Sequence, residues 1–356
     1  MPQITELKYL MDVYGTWAKA EGVPIHVGLS VDLNAAEVAP WPRFGVDGAL
    51  VHMNGRGDFA SLFLLEIRGG SATTAQKHLF EEIVYVVDGD GSTEIETSDG
   101  RSVVYRWGPR SLFAIPLNAC YRHRNGSRTS PARLASIATL QVMLNLYHNE
   151  DFVFSNDGKF PARERQANAT DLFGTTTISP GRTLGEASFL ADATKTPLTP
   201  WPARGDGLST VNLILADGTM HAQISEIAPG IYEKGSRFGT EFHFLPICGT
   251  GYSLMWKAGD RDATRIDWKP GVVFAPTRGM HYQHFNTGAG PARYLAVTVG
   301  SMRYPFVDEN FRMFAGGADT KVAEGGNQVE YEDQDARIHL QYLQELEKNK
   351  VAPRRP

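Results

Sequence analysis

The feature that most constrains this chain is that it repeats itself. Glu66-Ile67-Arg68-Gly69-Gly70 recurs 160 residues later as Glu226-Ile227-Ala228-Pro229-Gly230, and Gly89-Asp90-Gly91 recurs as Gly249-Thr250-Gly251 at the same offset. Trp107 is matched by Trp268, Phe113-Ala114 by Phe274-Ala275, and Tyr121-x-His123-x-Asn125 by Tyr282-x-His284-x-Asn286, all at an offset of 161. Pro131-Ala132-Arg133 then returns as Pro291-Ala292-Arg293 at 160. So many identities within one residue of a constant period mean a tandem duplication, and the two copies share one fold.

Each copy reads as β-structure. SLFLLEI, IVYVVDG, VNLILAD and RYLAVTV are short, rich in β-branched and aromatic residues, and bounded by Gly, Asp or Pro. Turn signals at close spacing point to sandwiches or barrels and away from βαβ units. Helix is expected at the ends: Leu7, Leu10, Met11, Tyr14 and Trp17 share one face of an amphipathic segment, as do Ile338, Tyr342 and Leu346 near the C-terminus. The organisation expected is an N-terminal helix and lead-in over 1–40, a first domain over 41–155, a Thr-, Ala- and Pro-rich linker over 156–205, a second domain over 206–310, and a C-terminal tail with a helix over 311–356.

With 42% hydrophobic and 21% charged residues the chain has material for a real core, which excludes disorder for most of it. The net charge is −5 and the basic residues cluster only at Arg354-Arg355, so a nucleic-acid partner is not expected. No run approaches the roughly 18 apolar residues of a membrane span. The N-terminal stretch carries acids where a signal peptide has a basic start, so a cytoplasmic location is expected. Two cysteines, Cys120 and Cys248, read as apolar filler.

The residues able to carry chemistry lie in the first copy. On a strand, side chains alternate faces, so Gln76, His78 and Glu82 share one face, and Tyr121, His123 and Asn125 share a face of another strand. Two strands of one barrel then aim His78, Glu82 and His123 at a common point. Two imidazoles and a carboxylate with open positions suit iron(II), and also hold manganese, nickel or zinc. Gln76 and Tyr121 stand beside that point as weak ligands or catalytic groups. Glu82 is preferred over Glu81 by strand parity. His52, His148 and His221 are read as structural.

These segments resemble the cupin superfamily. In its first motif the spacing back from Gly89 puts Glu82 on the family glutamate and His78 on the second histidine, with Gln76 where the first histidine is usual. In its second motif Pro116 and Asn125 fit, but Tyr121 takes the histidine position and His123 sits two residues on. HLFEEIVYVVDGDGST, SLFAIPLNACYRHRNGS and HNEDFVF are similar to a bacterial bicupin group, over about residues 5–345. The resemblance implies two tandem jelly-roll (double-stranded β-helix) barrels. The second copy departs further: Ser236, Phe238 and Phe242 stand at ligand positions, and Tyr282 replaces another. Glu241, His243, His281, Tyr282 and His284 remain as a pocket without a clear ligand set, so the second barrel is read as degenerate.

The function expected from this is a metal-dependent oxygenase, with iron(II) first among the metals, acting on a small catechol, hydroxy-ketone or other enolisable substrate in the first barrel. The alternatives are a non-oxidative metal-dependent isomerase, decarboxylase or lyase, in which Tyr121 or Glu241 moves the proton, and a bicupin that binds a small molecule without turnover. Exposed strand edges call for cover, and a homodimer is expected.

Overall fold

The strand Ser102–Trp107 shows the rule on which the molecule is built: Val103, Tyr105 and Trp107 are buried while Ser102, Val104 and Arg106 face outward. The structure is a computed structural model that describes residues 11–53, 59–164, 167–168, 172–179, 182–237, 242–277, 279–300, 303–304 and 319–354. Each copy of the repeat forms two facing, mainly antiparallel sheets, with one parallel pair at the edge strand Ile25–Gly28 in the first copy and at Arg182–Ala187 in the second. In the first, a large sheet runs in the order Ile25–Gly28, Val46–Met53, Ser61–Ile67, Ala132–Ala138, Glu82–Asp88, Leu112–Ile115 and Phe189–Leu190. It faces a small sheet of Cys120–Asn125, Gly91–Glu96 and Ser102–Trp107. In the second, Leu208–Leu215, Met220–Ile227, Ala292–Val299, His243–Cys248 and Val272–Phe274 make the core of the large sheet. Its small sheet holds Gly251–Trp256, His281–Asn286 and Gly235–Arg237.

The repeat signals turn out to be barrel hardware. Arg133 binds Glu66 at 2.6 Å and Arg293 binds Glu226 at 2.6 Å, the same cross-strand clamp made twice. Asn125 Nδ2 donates to the carbonyls of Ile67 and Ser130, and Asn286 Nδ2 to those of Ile227 and Gly290. Gly89 and Gly249 have φ near +89° and +87°, and a Cβ on either would lie within 2.6 Å of Ala132 or Ala292. Only glycine meets both demands.

The stretch 156–205 is more than a linker, because the duplication reaches further forward than its clearest identities show. Pro40-Trp41 and Pro200-Trp201 stand 160 apart, and each pairs antiparallel with the start of its copy's first long strand or caps it. Asp32 and Asp192 each accept a backbone N–H two residues on. Residues 182–200 are therefore the second copy's equivalent of the lead-in in 1–40. The two lead-ins are exchanged: Ser30–Asp32 pairs with Val272–Phe274 of the second barrel, and Phe189–Leu190 pairs with Leu112–Phe113 of the first. A strand signal shows that a segment is extended but not across which barrel it pairs, which is why this stretch reads as a connection.

Between the large sheets lies one apolar cluster drawn from both barrels, including Leu62, Leu64, Ile83, Leu112, Leu213, Leu245 and Leu295. Helix Val13–Ala20 buries Tyr14 and Trp17 against Trp41, Phe63, Phe80 and Leu144. Leu7 and Leu10 lie outside the described residues, and Met11 precedes the helix and is exposed, so it is not on the buried face. Helix Ala336–Asn349 lays Tyr342 and Leu346 over Tyr252 and Phe285 on the outside of the second small sheet. Both terminal helices thus cover sheet faces of their own chain.

Candidate functional site

Barrel one brings three side chains to one point. His78 lies just before strand Glu82–Asp88, which starts at Glu82, and Tyr121 comes from Cys120–Asn125 on the facing sheet. His78 Nε2 is 2.9 Å from Glu82 Oε2 and 3.0 Å from Tyr121 Oη, and the phenol donates to Glu82 Oε2 at 2.8 Å. The outer partners fix the set. His78 Nδ1 donates to the carbonyl of Phe80, whose ring stacks on the imidazole, and Ser136 donates to Glu82 Oε1. A carbonyl only accepts, so Nδ1 carries a proton and Nε2 of a neutral His78 has a lone pair turned on a carboxylate oxygen. That contact is favourable only with a positive charge between the two atoms, either a proton or a metal ion.

His123 is placed differently. Its Nδ1 lies 2.7 Å from Thr93 Oγ1, which accepts from the indole N–H of Trp107 at 3.0 Å. Among the described residues the only acceptor in reach of the Thr93 hydroxyl proton is Nδ1. The relay therefore leaves the proton on Nε2, which is buried without a partner. Burial holds His123 neutral, its pKa pushed down to about 4. Its ring lies 5.1 Å from that of Tyr121.

Burial would raise the pKa of Glu82, but hydrogen bonding and charge from His78, with help from His123 and Ser136, hold it below the ordinary value. Burial and the Glu82 carboxylate push the Tyr121 phenol well above its ordinary value.

Barrel two repeats the relay at an offset of 160–161: Trp268 Nε1 donates to Ser253 Oγ at 2.7 Å, and Ser253 Oγ lies 2.7 Å from His284 Nδ1. Two facing-sheet barrels in tandem, each with a relay of indole, hydroxyl and imidazole built at equivalent places, are now in view. The architecture is two tandem jelly-roll barrels. No family model and no curated protein matches the chain. Among solved structures it is similar to a tryptophan variant of Bacillus subtilis oxalate decarboxylase, at 12% identity over 80% of this chain and 82% of that one, with a TM-score of 0.49. A glutamate variant of that enzyme gives the same figures. A structure described for its Mn(II) centres gives a TM-score of 0.48 at the same identity and coverage.

The remaining residues of the two barrels sort by the face they occupy. Glu81 points away from Glu82: it binds Arg163 and accepts the backbone N–H groups of Thr219 and Met220 at 2.5 and 3.2 Å, tying barrel one to barrel two. Gln76 spends its amide N–H groups on Arg43 O and on Thr74, outside the His78–Glu82–Tyr121 network. In barrel two Tyr282 and His284 share the interior, their rings 5.4 Å apart. His243 does not join them. Phe244 packs on His284 at 4.8 Å, and strand alternation turns His243 with Leu245 to the cluster between the barrels. His281 faces the other way from Tyr282 and stacks on Trp256. Glu241 lies outside the described residues.

His52 bonds Tyr14, His148 caps helix Leu140–Tyr147, and His221 packs edge-on to Phe242. Cys120 and Cys248 are free and only partly buried, so neither is core filler. Three interior residues of barrel two escaped the sequence reading: Arg204, Glu233 and Tyr294. A repeat comparison sets Glu233 against Thr73 and Tyr294 against Leu134, polar against smaller or apolar, which is the signal that was there to find. No helix among the described residues is long and apolar enough to cross a membrane.

Proposed function

We propose that barrel one is a divalent-metal site for non-oxidative proton chemistry on a small organic carboxylate or carbonyl compound: decarboxylation, isomerisation or a lyase reaction. The observation that carries this is the closed triangle of His78 Nε2, Glu82 Oε2 and Tyr121 Oη, with sides of 2.8–3.0 Å. Those atoms need a positive charge among them, and cis ligands of an octahedral ion about 2.1 Å from the metal stand about 3 Å apart.

Among the described residues no three His, Cys, Asp or Glu side chains form a ready-made cage. The third donor on the His78–Glu82 pair is the phenol, while the relay keeps a proton on His123 Nε2. The residues that would hold the ion are thus His78 and Glu82, with Tyr121 next to them rather than His123. One imidazole among oxygen donors is a harder set than two imidazoles, which moves the preferred metal from iron(II) towards manganese(II). A bound ion there supplies Lewis-acid polarisation of a carbonyl or carboxylate oxygen.

The chain's own groups do the rest. Ser136 holds Glu82 Oε1, so that Oε2 faces the site. Phe80 fixes the His78 ring. Tyr121 Oη holds a proton at the reacting point and passes it to or from substrate carbon or oxygen. His123 Nε2–H offers a second donor for a developing anion. Iron(II) oxygenases use two imidazoles and a carboxylate, and here the third group on the His78–Glu82 pair is a phenol instead of His123. This favours the non-oxidative alternative over the oxygenase first expected.

The experiment is metal analysis of protein purified without chelator, followed by assays of oxo-, hydroxy- and dicarboxylic acids with and without dioxygen. Turnover that persists without dioxygen, with Glu82→Gln losing metal at least tenfold more readily to a competing chelator, is expected. Dioxygen consumed in step with substrate returns the oxygenase reading, and protein free of metal leaves only ligand binding.

A further inference from the structure

The lead-ins of the two copies carry an arginine at nearly the same place and use it in opposite ways. In Trp41-Pro42-Arg43 the guanidinium turns outward and is held by two carboxylates: Glu21 takes it through two oxygens at 2.6 and 2.9 Å, and Glu150 takes it as well. In Trp201-Pro202-Ala203-Arg204 the turn is two residues longer and holds a short 3₁₀ segment, and the guanidinium lies inside barrel two, where it is 4% exposed. There, among the described residues, it meets the carbonyl of Gly235 at 3.4 Å, one carboxylate oxygen of Glu233 at 3.7 Å and the face of the Trp201 ring at 5.7 Å. Five N–H donors are thus weakly served.

The groups around Arg204 add donors and almost no acceptors. Tyr294 donates to Glu233 at 3.2 Å. The Ser253 relay leaves a proton on His284 Nε2, which stands 3.6 Å from Glu233 Oε1 and has no hydrogen-bond partner. Ser236 Oγ is also buried without a partner. Among the described residues, the Arg204 guanidinium, the Tyr294 hydroxyl and the His284 imidazole N–H therefore all face the Glu233 carboxylate, and Asp319 is a further acid whose charge reaches Arg204. Phe242 stands where barrel one has Glu82, so the acid that anchors a cation is gone and a fixed cation has taken its place. Burial raises the carboxyl of Glu233 above its ordinary value, against the opposing pull of the Arg204 charge.

We infer that barrel two is a metal-independent binding site for a small organic carboxylate, which docks on Arg204 with His284 and Ser236 as further donors and with Glu233 as the internal group it displaces. This goes beyond the metal chemistry of barrel one and does not depend on it.

The test is isothermal titration of the full chain with formate, acetate and pyruvate, with and without 1,10-phenanthroline, in a low-chloride buffer. The expected result is a phenanthroline-insensitive binding step of one carboxylate per chain. Arg204→Gln weakens it at least tenfold, and Glu233→Gln, which removes the competing negative charge beside the guanidinium, tightens it about tenfold. The circular dichroism of each variant shows that it is folded, and the gain in Glu233→Gln is a readout that misfolding cannot mimic. The inference is overturned if none of the three acids gives heat, if phenanthroline abolishes the step, if chloride competes as well as acetate, or if Glu233→Gln weakens binding.

Discussion

Glu81 and Glu82 are neighbours in sequence with separate tasks, and exchanging each for glutamine separates the two. From strand parity alone Glu81 is expendable, since it faces away from the site and an exposed carboxylate costs no more than about 0.5 kcal/mol to neutralise. The structure gives it heavier duty. One oxygen accepts two backbone N–H groups of the second barrel and the other binds Arg163, with both side chains largely buried. Hydrogen bonds to a charged partner contribute about 1.5–3 kcal/mol, and a partly exposed ion pair up to about 1 kcal/mol. Glutamine keeps one carbonyl oxygen for Thr219 or Met220 and loses the charge, so Glu81→Gln is expected to cost ~1–2 kcal/mol. Alanine leaves two N–H groups and a guanidinium without their acceptor, and Glu81→Ala is expected to cost ~3–4 kcal/mol. Urea unfolding followed by tryptophan fluorescence measures both, and metal analysis run alongside is expected to show wild-type content in each. A Glu81→Ala protein within about 0.5 kcal/mol of wild type would refute the clamp. Metal loss in Glu81→Gln with none in Glu82→Gln would refute the strand register itself.

Two further outcomes follow from groups away from the metal. Burial pushes His243 down to about 4, so the fold accepts only its neutral form, and the unfolded chain takes up a proton first as pH falls below about 6.5. Its contribution is complete above that pH and is lost towards 4, about 2 kcal/mol of it by pH 5; His243→Phe is expected to flatten the fall in urea midpoint between pH 7.5 and 5, and an unchanged fall rules this out. Because both terminal helices cover their own chain, the dimer we propose rests on the remaining exposed strand edges, and light scattering giving a mass near 39 kDa at micromolar concentration would exclude it.

What was legible in the sequence was whatever depends on neighbours along the chain. Alternation in Ser102–Trp107, the glycine turns at 89 and 249, and the inward face shared by Tyr121 and His123 are all local consequences of a pleat or a tight turn, whereas His78 reaches the site from the irregular segment before the strand that starts at Glu82. What was not legible depends on which atoms meet across the barrel. That Tyr121, and not His123, lies on the His78–Glu82 pair follows from Thr93 and Trp107 taking up His123 Nδ1, a contact across three strands. That His243 leaves the pocket follows from one residue of register. Arg204 escaped because it lies in a stretch read as a connection, in a turn two residues longer than its counterpart in the first copy.

The exchanged lead-ins lead to a last prediction, about where the chain can be cut. A domain boundary at 155 looks natural from the repeat, yet a fragment of residues 1–155 would lose Phe189–Leu190 from its sheet, the stack of Phe189 on Tyr105 at 5.1 Å, and the Ala191 carbonyl that accepts from Ser111. It would also uncover Leu62, Leu64, Ile83, Leu112 and Ile137, which are buried in the cluster shared with barrel two. Five such side chains at about 1.5–3 kcal/mol each come to roughly 10 kcal/mol. A whole domain is stable by only about 5–15 kcal/mol, so the loss is of the size of the fold's entire margin. The fragment 1–155 is therefore expected to lack a cooperative thermal transition and to bind a hydrophobic dye, and co-expression with 156–356 is expected to restore the transition. The exchange makes the two barrels one folding unit only if neither survives alone, and a soluble 1–155 fragment with a sharp transition of its own would show that the strand at 189–190 and the shared cluster add little to barrel one.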